Sequence, residues 1–576
     1  MKQLFRNTAI AAVALTVSLG PLQVAPAQAE TKAGSYLAGR QALFDSNYDQ
    51  AAQYYTRALT ADPRNASLME NLVLAQLALG RIDRALPVAQ QMERLGLRSQ
   101  IAHMVVVAGL IQDGKFEDLL GRDLDDLGIS PLVDGLIVGW AEMGQGSVSK
   151  ALAQFDKVAE EKGLRGFALY HRALALAQVG DYEGAEEMFA AEDALLTRIS
   201  RRAAVARAQV LSQLGRNDQA LEMLAEVFGA AFDPGLTDIA DRLAAGQDVP
   251  FDIASTVTDG MAEVFFTIGA ALNGEAADDF ALVYARMAVA LRADHVDGIL
   301  LSAELLDSLG QYELSDATYK QVPREHPDYH AAELGRAEAL RRAAKPDAAT
   351  EVLEQLARDY PTLPAVYSAL GDLKRQQENY KDAIVAYDKA LEFTETDALS
   401  RWFLLYARGI SHERLKDWTK AESDFRAALE LNPDQPQVLN YLGYSLVERR
   451  EKLDEALDMI ERAVAARPDS GYIVDSLGWV LYRLGRYDEA VGHMERAVEL
   501  MPVDPVVNDH LGDVYWAVGR IREAEFQWSR ALSFIDPKDT DGEADPERIR
   551  RKMEVGLDQV LAEEGAAPLQ VANDDG

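Results

Sequence analysis

A few residues stand at spacings that could do chemistry. Ser147-Val-Ser-Lys150 sets a hydroxyl and an amine one helical turn apart, the spacing by which a lysine can activate a serine nucleophile. The partner motifs of such an enzyme are missing, and the stretch falls at a turn before Ala151. His326 and His330 are four apart, but Pro327 lies between them, so a turn is expected rather than a helical metal site. Asp539, Asp541 and Asp545 resemble a calcium loop only loosely, because the glycine and the closing glutamate are out of place. Gly144 and Gly146 lack the third glycine and the preceding strand of a dinucleotide loop. With 93 Asp and Glu in the chain, no carboxylate pair can be singled out as catalytic. There are no cysteines, which excludes disulfides, thiol catalysis and cysteine-bound metals. The expectation is a protein that is not an enzyme and uses no cofactor or metal.

Composition narrows the classes further. The 576 residues carry a formal net charge of −35 with no long basic block, which argues against binding nucleic acid or an anionic membrane surface. The first residues read as an export signal. Lys2 and Arg6 precede the apolar run AIAAVALTVSLG, and Ala27-Gln28-Ala29 forms a small-x-small cleavage site. The spacing predicts a signal peptide over 1–29, cleaved after Ala29, and an exported chain that is soluble rather than lipidated, in the periplasm of a Gram-negative source.

Small residues then recur with a period of 34. Ala51 and Ala85 are so spaced, as are Ala151 and Ala185, the series Ala281, Ser315, Ala349 and Ala383, and the series Ala456, Ala490 and Ala524. Twelve residues before many of them stands another small residue, such as Gly139, Gly371, Gly478 or Gly512. Four residues after many of them stands a bulky one, such as Tyr55, Phe155, Tyr387, Phe425 or Trp528. Pro63, Pro327, Pro361, Pro433, Pro468 and Pro502 close repeats. Small pairs let two antiparallel helices cross closely, and the bulky residues fill the groove between hairpins. One hairpin cannot bury its own apolar face, so hairpins must stack. The pattern resembles the tetratricopeptide repeat and predicts an all-α superhelical solenoid of antiparallel helix pairs.

Repeat starts are expected near 32, 66, 100, 132, 166, 201, 262, 296, 330, 364, 402, 436, 471 and 505, with the one at 100 degenerate. The division expected is an N-terminal sub-array over 30–234, an irregular linker over 235–261 and a C-terminal array over 262–538. An acidic loop, a capping helix and a tail complete the chain over 539–576.

The stretch DSLGWVLYRLGRYDEA, from Asp475 to Ala490, shows an apolar face and a second, aromatic one. In tetratricopeptide proteins ligands lie in the concave groove, at positions 2, 5, 9 and 12 of the repeat. The resemblance therefore implies a groove lined by Tyr406, Asn440, Tyr444, Tyr472, Asp475, Trp479, Tyr482, Arg483, Asp509, Asp513 and Trp516. Exposed aromatics serve as anchors for protein partners, and the aspartates suit a basic side chain or amine. The alternative is that neighbouring repeats or the C-terminal helix cover these rings.

Tyr441-Leu-Gly-Tyr444, Asp475-Ser-Leu-Gly-Trp479 and Asn508-Asp-His-Leu-Gly-Asp513 resemble a group of exported proteobacterial tetratricopeptide proteins. One branch is a lipoprotein adaptor that binds a carboxy-terminal processing protease and brings peptidoglycan hydrolases to it. The resemblance implies a periplasmic scaffold with protein partners of that kind, and no nucleic acid or membrane span. This chain departs from the branch in having no cysteine to lipidate. The alternative is a structural part of an outer-membrane secretion or polysaccharide-export assembly.

Overall fold

A computed structural model describes residues 32–191, 200–229, 232–395, 399–536, 544–566 and 569. The expected signal peptide and the aspartates Asp539 and Asp541 lie outside the described residues. Every regular element described is a helix; there are thirty-two, and no strand occurs among the described residues.

Helix starts fall where the small-residue period places them. First helices of repeats begin at Ala66, Gln100, Pro131, Arg165, Arg201, Val296, Tyr329, Pro364, Arg401, Pro436, Gly471 and Pro505. Local chemistry fixes these starts. The Asn65 side chain accepts from the Leu68 amide at 3.2 Å, and Pro364, Pro436 and Pro505 occupy the first helical turn, where no amide partner is needed. Gly485, with φ of +75°, ends the helix Gly471–Arg483 in the left-handed conformation that glycine adopts without strain.

The small residues do the work their spacing implies. Ala51, Ala85, Ala151, Ala185, Ala281, Ser315, Ala349, Ala383, Ala456, Ala490 and Ala524 are fully buried at the helix crossings. The first-helix glycine receives the bulky residue of the second helix. A methyl group on Gly371 would lie 2.6 Å from the Tyr387 ring, and one on Gly409 would lie 2.6 Å from the Phe425 ring. Gly139 with Phe155 and Gly512 with Trp528 make the same fit.

Two places break the pattern. After the helix Gln100–Gln112 the second helix is replaced by two short ones, Phe116–Leu120 and Leu124–Leu127, which accounts for the degenerate repeat there. Over 235–261 the chain makes the helix Pro234–Ala244, then an irregular run, and then enters the helix Val257–Leu272. That helix starts five residues before the expected 262. Thr256 and Asp259 cap it reciprocally.

The described residues form two compact units, one running to Gly335 and the other starting at Arg336. In the first unit the helix Val257–Leu272 packs against the first helices Pro131–Gly144 and Arg165–Gln178, and the helix Asp278–Leu291 packs against Ala66–Ala78 and Gln100–Gln112. In the second unit consecutive hairpins stack from Pro346–Asp359 to Ile521–Phe534, and the pair Pro546–Val555 and Leu557–Glu563 closes the stack. No described helix is long and apolar enough to cross a membrane.

Candidate functional site

The first unit fills its own groove. In the register used above, Trp140, Tyr170, Arg202, Gln209 and Ser212 occupy groove positions. Each meets the segment 249–263. Gly260 lies against the Trp140 ring with no room for a side chain. Trp140 Nε1 donates to His171 Nδ1 at 3.1 Å, and the other ring nitrogen of His171 lies 3.3 Å from Thr267 Oγ1. The Nδ1 position must therefore be unprotonated, and burial pushes the His171 pKa down to about 3. Tyr170 Oη donates to Glu263 at 3.3 Å. Arg202 pairs with Glu263 and with Asp297, and His295 Nε2 lies 3.0 Å from Glu263. Burial pushes the Glu263 carboxyl up, but Arg202 and His295 outweigh it and hold the pKa well below the usual range.

The irregular run before that helix is held by side chains that bond its backbone. The Val249 amide donates to Ser212 Oγ at 2.9 Å, and Gln213 Nε2 donates to the Val249 carbonyl at 2.9 Å. Gln209 makes two bonds to one residue. Its Oε1 accepts from the Asp252 amide at 3.1 Å, and its Nε2 donates to the Asp252 side chain at 2.7 Å. Gln209, Ser212 and Gln213 were not singled out from sequence. Polar side chains at groove positions 9 and 12 of the repeat starting at 201, with another beside them at 13, were the available signal.

The second unit fills part of its groove as well. Asp509 and Asp513 receive Lys552 from the C-terminal helix Pro546–Val555. The Lys552 ammonium is fully buried, 2.9 Å from Asp509 and 2.6 Å from Asp513. The aspartates thus have the basic partner their sequence suggested, supplied by the same chain. Burial raises the Asp509 pKa against the opposing pull of Lys552. Trp516 is half-buried and donates to Asp558 at 2.9 Å.

Trp479 and Tyr482 are buried, at 9% and 8% exposure, so their rings are not available as open anchors. The Trp479 ring stacks on His510 at 3.9 Å and on Tyr482 at 4.8 Å, and its Nε1 donates to Glu448 at 2.8 Å. Asp475 is buried against His510 Nδ1 at 3.1 Å. Arg483 lies beside Trp479 and 3.4 Å from Glu448. The next repeat covers Trp479 and Asp475 through His510, Tyr482 packs between Trp479 and Tyr487, and Arg483 is half-buried against Trp479 and Glu448. Tyr406 is half-buried and packs edge-on against Tyr441.

What stays open is the stretch between. Asn440, Tyr444 and Tyr472 line a cavity of about 910 Å³ in the second unit. Tyr472 is 65% exposed. Tyr441, Ser445 and Val506 complete the walls, and Arg414, Lys416, Trp418 and Arg449 form the end nearest the hairpin turns. The wall carboxylates are committed. Glu448 accepts from Trp479, Asp504 caps the helix Pro505–Ala517, and Glu413 accepts from Tyr441. Trp418 Nε1 and Asn440 Oδ1 are buried with no hydrogen-bond partner among the described residues.

Elsewhere the residues at chemical spacings meet other partners. Ser147 begins the helix Val148–Glu160, while Lys150 lies 3.8 Å from Glu142. His330 stands in the first turn of the helix Tyr329–Arg342, with Nδ1 3.0 Å from the Pro327 carbonyl of the preceding turn. No cluster able to hold a metal occurs among the described residues.

Two tetratricopeptide-repeat models match this chain, one over residues 36–96, 334–398, 406–471 and 448–505, the other over 166–191 and 201–226. The chain carries tetratricopeptide repeats. Repeats of this family serve as protein-interaction scaffolds. The TPR repeat-containing protein PA4667 of Pseudomonas aeruginosa is 29% identical over 160 residues, which are 28% of this chain and 26% of that one. The human protein O-mannosyl-transferase TMTC1 is 27% identical over 184 residues, 30% of this chain and 20% of that one. The chain thus matches about a quarter or less of these relatives' length. Solved structures with similar repeats include the APC/C hetero-tetramer Cut9-Hcn1, at 15% identity, TM-score 0.39, 92% of this chain and 97% of that one. Yeast Tom70 gives 15% identity, TM-score 0.35, 92% of this chain and 98% of that one.

Proposed function

We propose that the protein is a non-catalytic scaffold of the periplasm that holds protein partners in the open groove of its second unit, at Asn440, Tyr444 and Tyr472. One observation carries the reading. The other groove positions described above are occupied by the chain itself, whereas this stretch keeps a cavity of about 910 Å³ beside a largely exposed tyrosine. Large, rigid aromatic side chains beside a concave surface are what interfaces use as anchors. The export signal over 1–29 supports an envelope location, and the resemblance around Tyr441–Asp513 supports an adaptor linking a carboxy-terminal processing protease to peptidoglycan hydrolases. The second reading, a structural part of a secretion or polysaccharide-export assembly, rests on the same groove and differs in its partner.

The test is capture from envelope extract by the full chain and by a Tyr444→Ala/Tyr472→Ala variant of equal helicity. Both tyrosines touch the cavity, and neither is fully buried, so the variant keeps the fold. A protease or wall hydrolase held by the parent and lost from the variant is the expected result. An outer-membrane barrel or synthase in its place selects the second reading. Partners held equally by both proteins contradict the groove.

A further inference from the structure

We infer that two copies of this chain pair through the outer face of the helix Lys32–Phe44, crossing antiparallel about a two-fold axis. The pairing is independent of the groove described above. Position 6 of a repeat is where its first helix meets the hairpin before it. Asn71 Nδ2 donates to Tyr55 Oη at 3.2 Å, Trp140 donates to His171, the Tyr441 ring lies 5.3 Å from the Phe425 ring, and His510 stacks on Trp479. Position 10, one turn on, is apolar and buried at Val210, Leu305, Val480 and Val514. In the helix Lys32–Phe44 the same stripe, at positions 6, 10 and 13, is Leu37, Gln41 and Phe44. Among the described residues no hairpin precedes it. Leu37 is 59% exposed and Phe44 is 84% exposed.

The two ends of the chain decide what can cover that face. A stack of repeats needs its end faces sealed. At the far end the chain seals itself, with Ile549 and Leu557 of the C-terminal helices fully buried. A head-to-tail contact would need that sealed face, whereas a two-fold contact uses the open face twice. The open face is complementary to itself. Leu37 and Phe44 are seven residues apart, about two helical turns. An antiparallel crossing centred between Arg40 and Gln41 sets Leu37 of each copy on Phe44 of the other. The same crossing sets Arg40 beside Asp45 of the other copy. Both are exposed; Arg40 has no ion pair among the described residues, and Asp45 accepts from Gln41 at 3.0 Å. Exposed ion pairs add little strength, so these fix the register while the apolar contacts supply the affinity. The face is small beside a permanent interface, so the dimer is a weak and reversible one. The net charge of −35 on each copy opposes the approach, and salt screens that repulsion.

The experiment is sedimentation velocity over a concentration series on the chain from Glu30, the form that the export signal leaves. The sedimentation coefficient is expected to climb to that of a dimer and stop there, and to climb at lower concentration when salt is raised. Leu37→Glu/Phe44→Glu changes only exposed side chains, keeps helicity, and is expected to raise the dissociation constant about tenfold or more. Arg40→Asp and Asp45→Arg should each weaken the pairing, and the two together should restore it. The chain has no cysteine, so Gln41→Cys supplies a single thiol. Oxidation is expected to join two copies there, but not at Phe526→Cys, an exposed site on the helix Ile521–Phe534. A chain that stays monomeric to about 100 μM overturns the pairing. So does a dimer indifferent to Leu37→Glu/Phe44→Glu, growth beyond a dimer, or joining at 526 equal to that at 41. A photo-crosslinker at 44 that joins a different envelope protein, and no second copy, overturns it as well.

Discussion

Lys552 shows how much a single side chain can settle. It enters the terminal groove from the C-terminal helix and meets two carboxylates with no exposure to water. Burying three charges is costly, and the triad holds because each is paired. Lys552→Met leaves Asp509 without its ion-pair partner and Asp513 with Arg548 alone, at 3.8 Å, so the second unit is expected to lose about 3 kcal/mol, measured by denaturant unfolding. Lys552→Met with Asp509→Asn and Asp513→Asn should recover part of that loss. The aspartates were legible in the sequence as a site for an amine. Their partner was not, because Lys552 lies about forty residues away, beyond the last periodic repeat. Trp479 was legible as belonging to a second face. Whether the face was wet depended on His510 in the next repeat, and a pattern confined to one helix cannot show that stacking.

At the scale of elements, the helix Val257–Leu272, which begins inside the stretch without repeat register, is the most consequential. It fills the groove of the first unit, and its buried contacts include a histidine that must stay neutral. The folded His171 pKa lies near 3, below the ordinary value near 6.5, so the unfolded chain takes up the proton first. The stability from this group is fully present above about pH 6.5 and is lost as pH falls toward 3, by about 1.4 kcal/mol for each pH unit. Glu263, held well below its ordinary value, adds a loss of the same sign below about pH 4.5. Melting followed between pH 7 and pH 4 should show the first unit losing stability steadily. His171→Gln should lower stability at pH 7 and flatten that slope. The repeat hairpins themselves were legible to within a residue or two at most starts, because small residues at crossings and bulky residues in notches are a strict local demand. The filling helix was not, since its register answers to residues more than ninety positions away, such as Tyr170.

At the scale of the whole molecule, a long array of repeats presents much less binding surface than its length suggests. Of the groove positions traced here, those in the first unit are taken by residues 249–263 and those in the last repeat by the C-terminal helices. The stretch around Asn440, Tyr444 and Tyr472 is what remains. A net charge of −35 repels anionic surfaces, while charges farther than about 8 Å are screened at physiological salt, so the charges that line this cavity act on it most strongly. The most direct measurement places a photo-crosslinking amino acid at 444, at 472 and, separately, at 516 in the full chain and maps the adducts formed in envelope extract. The account predicts one shared partner at 444 and 472, joined through a short contiguous segment, and no such adduct at 516. Equal labelling at 516, or adducts at 444 and 472 that share no partner, would contradict it.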